Sequence, residues 1–226
     1  MSKPTKGIKS DEEINLEDDF DWIENEAESE SPELFKKSIS LKRKTQKLNL
    51  INALKKEKAG DILKGLPKKE ETLHIVSNGS YDFFSYIPII TDYMNIVSEL
   101  YGSTWTMNRN NVIELFSLFD NKKIQKINIL TGVYFKRRES AVYAELFMGI
   151  QKRKQRYKAL ENHTKIIMLS DNTNYIVIEG SANFTSNPRI EQYIINNNKE
   201  LYDFHKNWMD EALDDDKEHR EYFRKR

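Results

Sequence analysis

The stretch His163-Thr164-Lys165-Ile166-Ile167-Met168-Leu169-Ser170, followed after a polar turn by Tyr175-Ile176-Val177-Ile178-Glu179-Gly180-Ser181-Ala182-Asn183-Phe184-Thr185, decides the reading of this 226-residue chain. Ile166–Leu169 and Tyr175–Ile178 are short apolar runs rich in β-formers, and Ser170-Asp171-Asn172-Thr173-Asn174 between them is turn-forming. Together they predict a hairpin. On a strand His163 and Lys165 project to one face, because side chains alternate with a period of two. The returning strand then delivers Gly180-Ser181-Ala182-Asn183 to the same end of the sheet. An imidazole can attack phosphorus or protonate a leaving oxygen, and an ammonium beside it can neutralise a phosphoryl oxygen. Gly180 permits close approach of backbone to a ligand, and Ser181 and Asn183 add neutral donors for an anion. His-x-Lys alone is weak, since lysine is common in this chain, and a polar strand face is its bland reading. The ordered combination across a hairpin is a strong signal.

Outward from the hairpin, strands and helices alternate. Leu73–Val76 closed by Asn78-Gly79, the stretch from Ile96 to Trp105, Ile127–Leu130 and Ile190–Ile195 read as further strands. Tyr81–Tyr93 reads as a helix interrupted near Pro88, Asn111–Phe119 as a second, Arg137–Leu160 as a long third, and Lys199–Leu213 as the last. The class expected is α/β, a mixed β-sheet flanked by helices. Trp105 and Trp208 are read as core or interface residues rather than base-stacking platforms.

Charge divides the chain further. Net charge is zero, but the charges are segregated: acidic from Asp11 to Glu33, basic from Lys36 to Lys69 and basic again from Lys136 to Lys158. Hydrophobic residues are 38% and charged residues 32%, a polarity concentrated at the front. Residues 1–40 lack apolar periodicity and are expected to be a disordered acidic tail. Phe20-Asp21-Trp22-Ile23 within it reads either as a docking motif or as stray aromatics on a solvated tail. Residues 41–70 are expected to be a basic helix and linker, with helical spacing over 44–65, either touching DNA or simply solvated. The compact domain is placed at 71–215, and 216–226 is a charged end. The absence of cysteine excludes disulfides, thiolate zinc sites and a cysteine nucleophile. No apolar run reaches the ~18 to 20 residues that span a bilayer, and the opening residues predict no signal peptide. The expected location is cytoplasmic, with no membrane partner.

The segment from His163 to Tyr193 resembles the His-Lys-Asp signature of the phospholipase D superfamily. It is closest in style to short bacterial endonucleases with one signature per chain, whose motif ends in Gly-Ser-x-Asn-Phe-Thr followed by a glutamate. Here Gly180 to Thr185 and then Glu191 match that pattern. The wider run from Leu73 to Leu213 is similar to phospholipase-D-like proteins of phage and prophage genomes, which would place this one in the cytoplasm of a bacterial host. The resemblance implies a phospholipase D-like fold and metal-independent phosphodiester chemistry with no cofactor. His163 would form a covalent phosphohistidine, Lys165 and Asn183 would hold phosphoryl oxygens, and Glu191 would orient the histidine. The aspartate of the signature would be Asp171, although both gaps around it, to Lys165 and to Gly180, are longer than in the family. Ser181 joins the catalytic set. Gly180, Arg189, Lys158 and Arg156 are expected to line the substrate. With one signature in the chain, the resemblance implies a homodimer that pairs two copies of His163.

Three function classes follow. A nuclease acting on DNA or RNA suits the basic stretches. A nucleic-acid-binding or phage accessory module with weak or no turnover is the alternative. A lipid-directed phospholipase is least favoured, because lipid-cleaving members usually carry both signatures in a longer chain. An acidic tail facing a basic domain would either mimic a polyanion in the groove or serve as a spacer.

Overall fold

The computed structural model describes residues 38–44, 47–53, 59–79, 81–185 and 189–214, with residues 38–53 described by their backbone alone. The acidic tail through residue 37 and the charged end at 216–226 lie outside the described residues.

Among the described residues nine strands form one sheet: β1 (Ser38–Lys44), β2 (Lys47–Ala53), β3 (Thr72–Ser77), β4 (Glu99–Thr104), β5 (Ile127–Gly132), β6 (Arg156–Leu160), β7 (Ile166–Ser170), β8 (Tyr175–Gly180) and β9 (Glu191–Asn197). Their order is β2-β1-β3-β9-β8-β7-β4-β5-β6. The β4, β5 and β6 ladders are parallel and all the others antiparallel, so the sheet is mixed. The helices are α1 (Ala59–Ile62), α2 (Tyr86–Met94), α3 (Arg109–Asp120), α4 (Val133–Arg138), α5 (Ser140–Lys152) and α6 (Lys199–Asp214).

The β7–β8 hairpin forms as its composition predicts. The uninterrupted Ile-Ile-Met-Leu run of β7 follows from burial on both faces. Ile167 and Leu169 enter a large core with residues of α1, α2, α3 and α5, while Ile166 and Met168 enter a second core with Tyr202, Met209 and Ala212 of α6. Around β7 the sheet is therefore covered on both sides. α6 is also tied down by polar contacts: Arg156 pairs with Asp210 at 2.6 Å and Asp214 at 2.7 Å, and buried His205 lies 3.3 Å from Glu179 while accepting from the Trp208 indole.

Two expectations are corrected. Residues 47–53 are not helical. Leu48, Ile51 and Leu54 fit a helical period, but Lys47–Ala53 pairs with β1, and β1 pairs with the edge of β3. A β-ladder that extends an existing sheet overrides weak helical spacing. Arg137–Leu160 is not one helix either. The chain breaks at Glu139 (φ −116°, ψ 50°) and leaves α5 through Lys154 at φ 53°. Arg156–Leu160 then pairs parallel with β5, which satisfies its backbone in the sheet.

Gly149 of α5 marks a close helix–helix contact. A Cβ there would sit 2.2 Å from the Phe116 ring of α3, and the Arg153 guanidinium covers that ring at 4.1 Å. Gly→Ala inside a helix ordinarily gains about 0.5–1 kcal/mol, but overpacking a core costs about 1–3 kcal/mol. Gly149→Ala should therefore destabilise the fold by roughly 1–2 kcal/mol in denaturant unfolding, and a stabilised variant would contradict this packing.

Candidate active site

The ends of six strands meet at one edge of the sheet. Ser103 of β4 pairs with Ile166 at the start of β7, Gly180 ends β8 opposite Tyr193 of β9, and Ser77 ends β3 opposite Glu191. β5 ends alongside β4. His163-Thr164-Lys165 precedes β7 rather than lying within it, yet the ladder runs one rung past the strand, because the Gly180 amide donates to the Lys165 carbonyl at 3.1 Å. Lys165 therefore continues the alternation of Ile167 and Leu169 and belongs to the face of the larger core. Glu191 shares that face with Tyr193 and Ile195.

His163 is exposed at the rim, and two networks hold its backbone. Its carbonyl accepts from Lys165 Nζ at 2.7 Å. On either side of it, buried Asn162 and exposed Thr164 interlock: Asn162 Oδ1 accepts from the Thr164 amide at 3.0 Å and hydroxyl at 2.7 Å, while Asn162 Nδ2 donates to Ser103 Oγ at 2.9 Å and the Thr104 carbonyl at 3.3 Å. A ring thrown outward between two side chains anchored to β4 is pre-oriented.

The charges on this rim form a coupled set. Burial, then the Lys165 charge, push the His163 pKa below its ordinary 6.5, which favours the neutral, nucleophilic imidazole. Burial also lowers Lys165, which is 9% exposed, while Glu191 pulls it back up. Burial raises Glu191, against the Ser181 hydroxyl and the positive charges of Arg189 and Lys165. Ser181 Oγ makes a short hydrogen bond to Glu191 Oε2 and accepts from the Gln192 amide at 3.1 Å.

His163, Lys165, Glu191, Ser181 and Arg189 thus lie together. Asn183 approaches from the β4 side. Its Oδ1 accepts from the Trp105 amide at 3.3 Å, and the Trp105 ring centroid lies 6.2 Å from that of His163. What Asn183 can offer an anion is its Nδ2 donor.

The remaining expected residues are placed otherwise. Asp171 sits in the β7–β8 turn, its carboxylate accepting from the Thr173 amide at 2.8 Å, the Asn174 amide at 2.6 Å and Asn174 Nδ2 at 3.0 Å. It lies six steps of extended chain from Lys165, roughly 20 Å, so it is a turn residue and not part of the site. Arg156 is spent on Asp210 and Asp214, and Lys158, two residues along the same strand, shares its α6 face. Neither lines this rim. Ser181 directs its proton at Glu191 rather than outward. Gly180 is required by internal packing: a Cβ would meet Tyr193 Cδ1 at 2.8 Å.

Three contributors were not anticipated. Asn162 was hidden because its role depends on β4 standing beside β7. Trp105, expected in a core or interface, is half-buried beside His163. Tyr134 of α4, 44% exposed, lies 6.1 Å from Trp105. The position of Trp105 straight after an apolar strand was the available signal, since strand ends are where sheets place sites.

No family model matches the chain, and no curated protein matches it. Among solved structures it is similar to a phospholipase D family member, Nuc from Salmonella typhimurium, at 17% identity over 53% of this chain and 82% of that one, with a TM-score of 0.41. It is also similar to polyphosphate kinase from Porphyromonas gingivalis, at 13% identity over 65% of this chain and 26% of that one, with a TM-score of 0.48. A third is TrmBL2, an archaeal chromatin protein, at 12% identity over 54% of this chain and 46% of that one, with a TM-score of 0.37.

Two outcomes follow from the geometry. NMR titration of His163 should give a midpoint below the ordinary value, and Lys165→Gln should move it upward; an unmoved midpoint would mean that the ammonium does not act on the ring. Asp171→Ala should cost about 1 kcal/mol of stability through lost turn hydrogen bonds and leave any activity of the site intact, measured as denaturant midpoint and rate side by side.

Proposed function

We propose that this protein is a phosphodiesterase that cleaves nucleic acid through a phosphohistidine on His163, without a metal cofactor. The observation that carries the proposal is the rim itself: an exposed imidazole with a depressed pKa, anchored on both sides and flanked by a buried ammonium and the Gly180–Asn183 corner. The resemblance of His163-x-Lys165 and Gly180-Ser181-x-Asn183-Phe184-Thr185 to the phospholipase D signature supports the same reading.

In the proposed reaction a neutral His163 nitrogen attacks phosphorus, and the bond to one ester oxygen breaks. That oxygen leaves with a proton from a second histidine. Water then attacks phosphorus, giving up a proton to that histidine; the new phosphorus–oxygen bond replaces the phosphorus–nitrogen bond, releasing the phosphate monoester and restoring the imidazole. Lys165 and the Asn183 amide offset charge on the phosphoryl oxygens. Glu191, kept in place by Ser181, is a positioning residue for the site. The second histidine is proposed to come from another copy of the chain, as the one-signature reading requires.

A second reading is favoured by one contact. Lys165 Nζ is engaged by the His163 carbonyl, and a site that keeps it there would grip a phosphate poorly and serve binding rather than turnover. The two separate on labelled single-stranded DNA, duplex DNA and RNA incubated in EDTA. Cleavage lost by at least about 1000-fold in His163→Ala, a group acting as the nucleophile, supports the enzyme. Binding without cleavage in either protein would replace it with the module.

A further inference from the structure

Trp105 is held in place by its backbone and by its neighbours. Its amide donates to Asn183 Oδ1 at 3.3 Å, and its carbonyl accepts from the Gly132 amide at 3.1 Å. Its ring lies so close over Gly132 that a Cβ there would fall 2.4 Å from Trp105 Cδ1. The His163 ring lies 6.2 Å from this indole and the Tyr134 ring 6.1 Å, centroid to centroid, tilted from it by 58° and 54°. The His163 and Tyr134 rings are both exposed to solvent. Immediately beyond Tyr134, the last turn of α4 carries Lys136, Arg137 and Arg138, all exposed, before the single opposing charge of Glu139.

From this arrangement we infer that Trp105 and Tyr134 form a stacking platform for an unpaired nucleobase, so that the substrate bound at His163 is a single-stranded nucleic acid. The inference rests on the proposed phosphodiesterase reading and deepens it. An aromatic face next to the attacking group can be used only by a base whose own face is uncovered; in a duplex that face is stacked on its neighbours, leaving edges and phosphates to contact. Trp105, already held over Gly132, provides such a face with little side-chain entropy left to lose, and the exposed Tyr134 ring adds a second beside it. The cations of α4 stand where the backbone of the next nucleotides would run, and phosphate contacts of that kind add salt-dependent affinity without reading sequence. The site is thereby arranged for a strand that enters over Tyr134, stacks, and presents its phosphodiester to the imidazole.

The test is equilibrium binding, so it does not require turnover. Fluorescence anisotropy of a labelled, hydrolysis-resistant phosphorothioate oligothymidylate, an oligouridylate and a matched duplex is compared for the wild-type chain, Tyr134→Ala and Tyr134→Phe. Tyr134→Ala should weaken both single strands by about 10-fold, from the loss of one stacked base, and change duplex affinity by less than about 2-fold. Tyr134→Phe should retain single-strand affinity. Oligothymidylate should also quench tryptophan emission, and Trp105→Phe should remove that quench while Trp22 and Trp208 remain. Single-strand affinity of Tyr134→Ala within about 2-fold of the wild type, or an equal loss on duplex, would overturn the platform. A platform that passes while wild-type cleavage is absent would count against the phosphodiesterase alone.

Discussion

The Gly180 amide donates to the Lys165 carbonyl just before the start of the β7 strand, and the Ser181 amide donates to the Gln192 carbonyl just beyond the end of β8. These two rungs keep the chain extended where it would otherwise leave the sheet. Side-chain alternation therefore persists as far as Lys165, which is turned toward the core face instead of toward water. Without them His163 would sit on an ordinary surface loop, and nothing would oblige Lys165, Ser181 and Glu191 to share a corner.

Burial of that lysine sets the electrostatics. An ammonium taken out of water needs a compensating charge or acceptors, and here the His163 carbonyl and the Glu191 carboxylate supply them. Glu191 is itself buried and is pushed toward protonation by desolvation, so neither member of the pair is comfortable alone. Partial burial of the histidine, and after it the lysine charge, favour its neutral form. A ring in that state, on a backbone clamped by Asn162 and Thr164, suits nucleophilic attack.

The hairpin from His163 to Thr185, the helices near Asn111–Phe119 and Lys199–Leu213, and the mixed α/β class were legible because long apolar runs and turn residues are local signals. Arg156 was misread for the opposite reason. Its basic neighbours gave it the look of a substrate contact, but its partners Asp210 and Asp214 are more than fifty residues away and meet it only because α6 packs across β6. Asp171 matched a signature by order, yet the turn it caps lies at the far end of the strand. Asn162 escaped attention, and Trp105 was read as a core or interface residue, because each acts through a neighbouring strand that sequence order does not bring near. The hairpin of β1 and β2 was missed where two periodicities overlapped and pairing with β3 decided between them.

The account turns on whether phosphorus is ever bonded to His163. The direct measurement is mass spectrometry of the denatured, proteolysed protein after rapid quenching at alkaline pH during reaction with an oligonucleotide. The account predicts a nucleotidyl adduct, acid-labile and base-stable, on the peptide that contains His163. Product accumulating with no adduct on that peptide, or an adduct carried by a different residue, would contradict it.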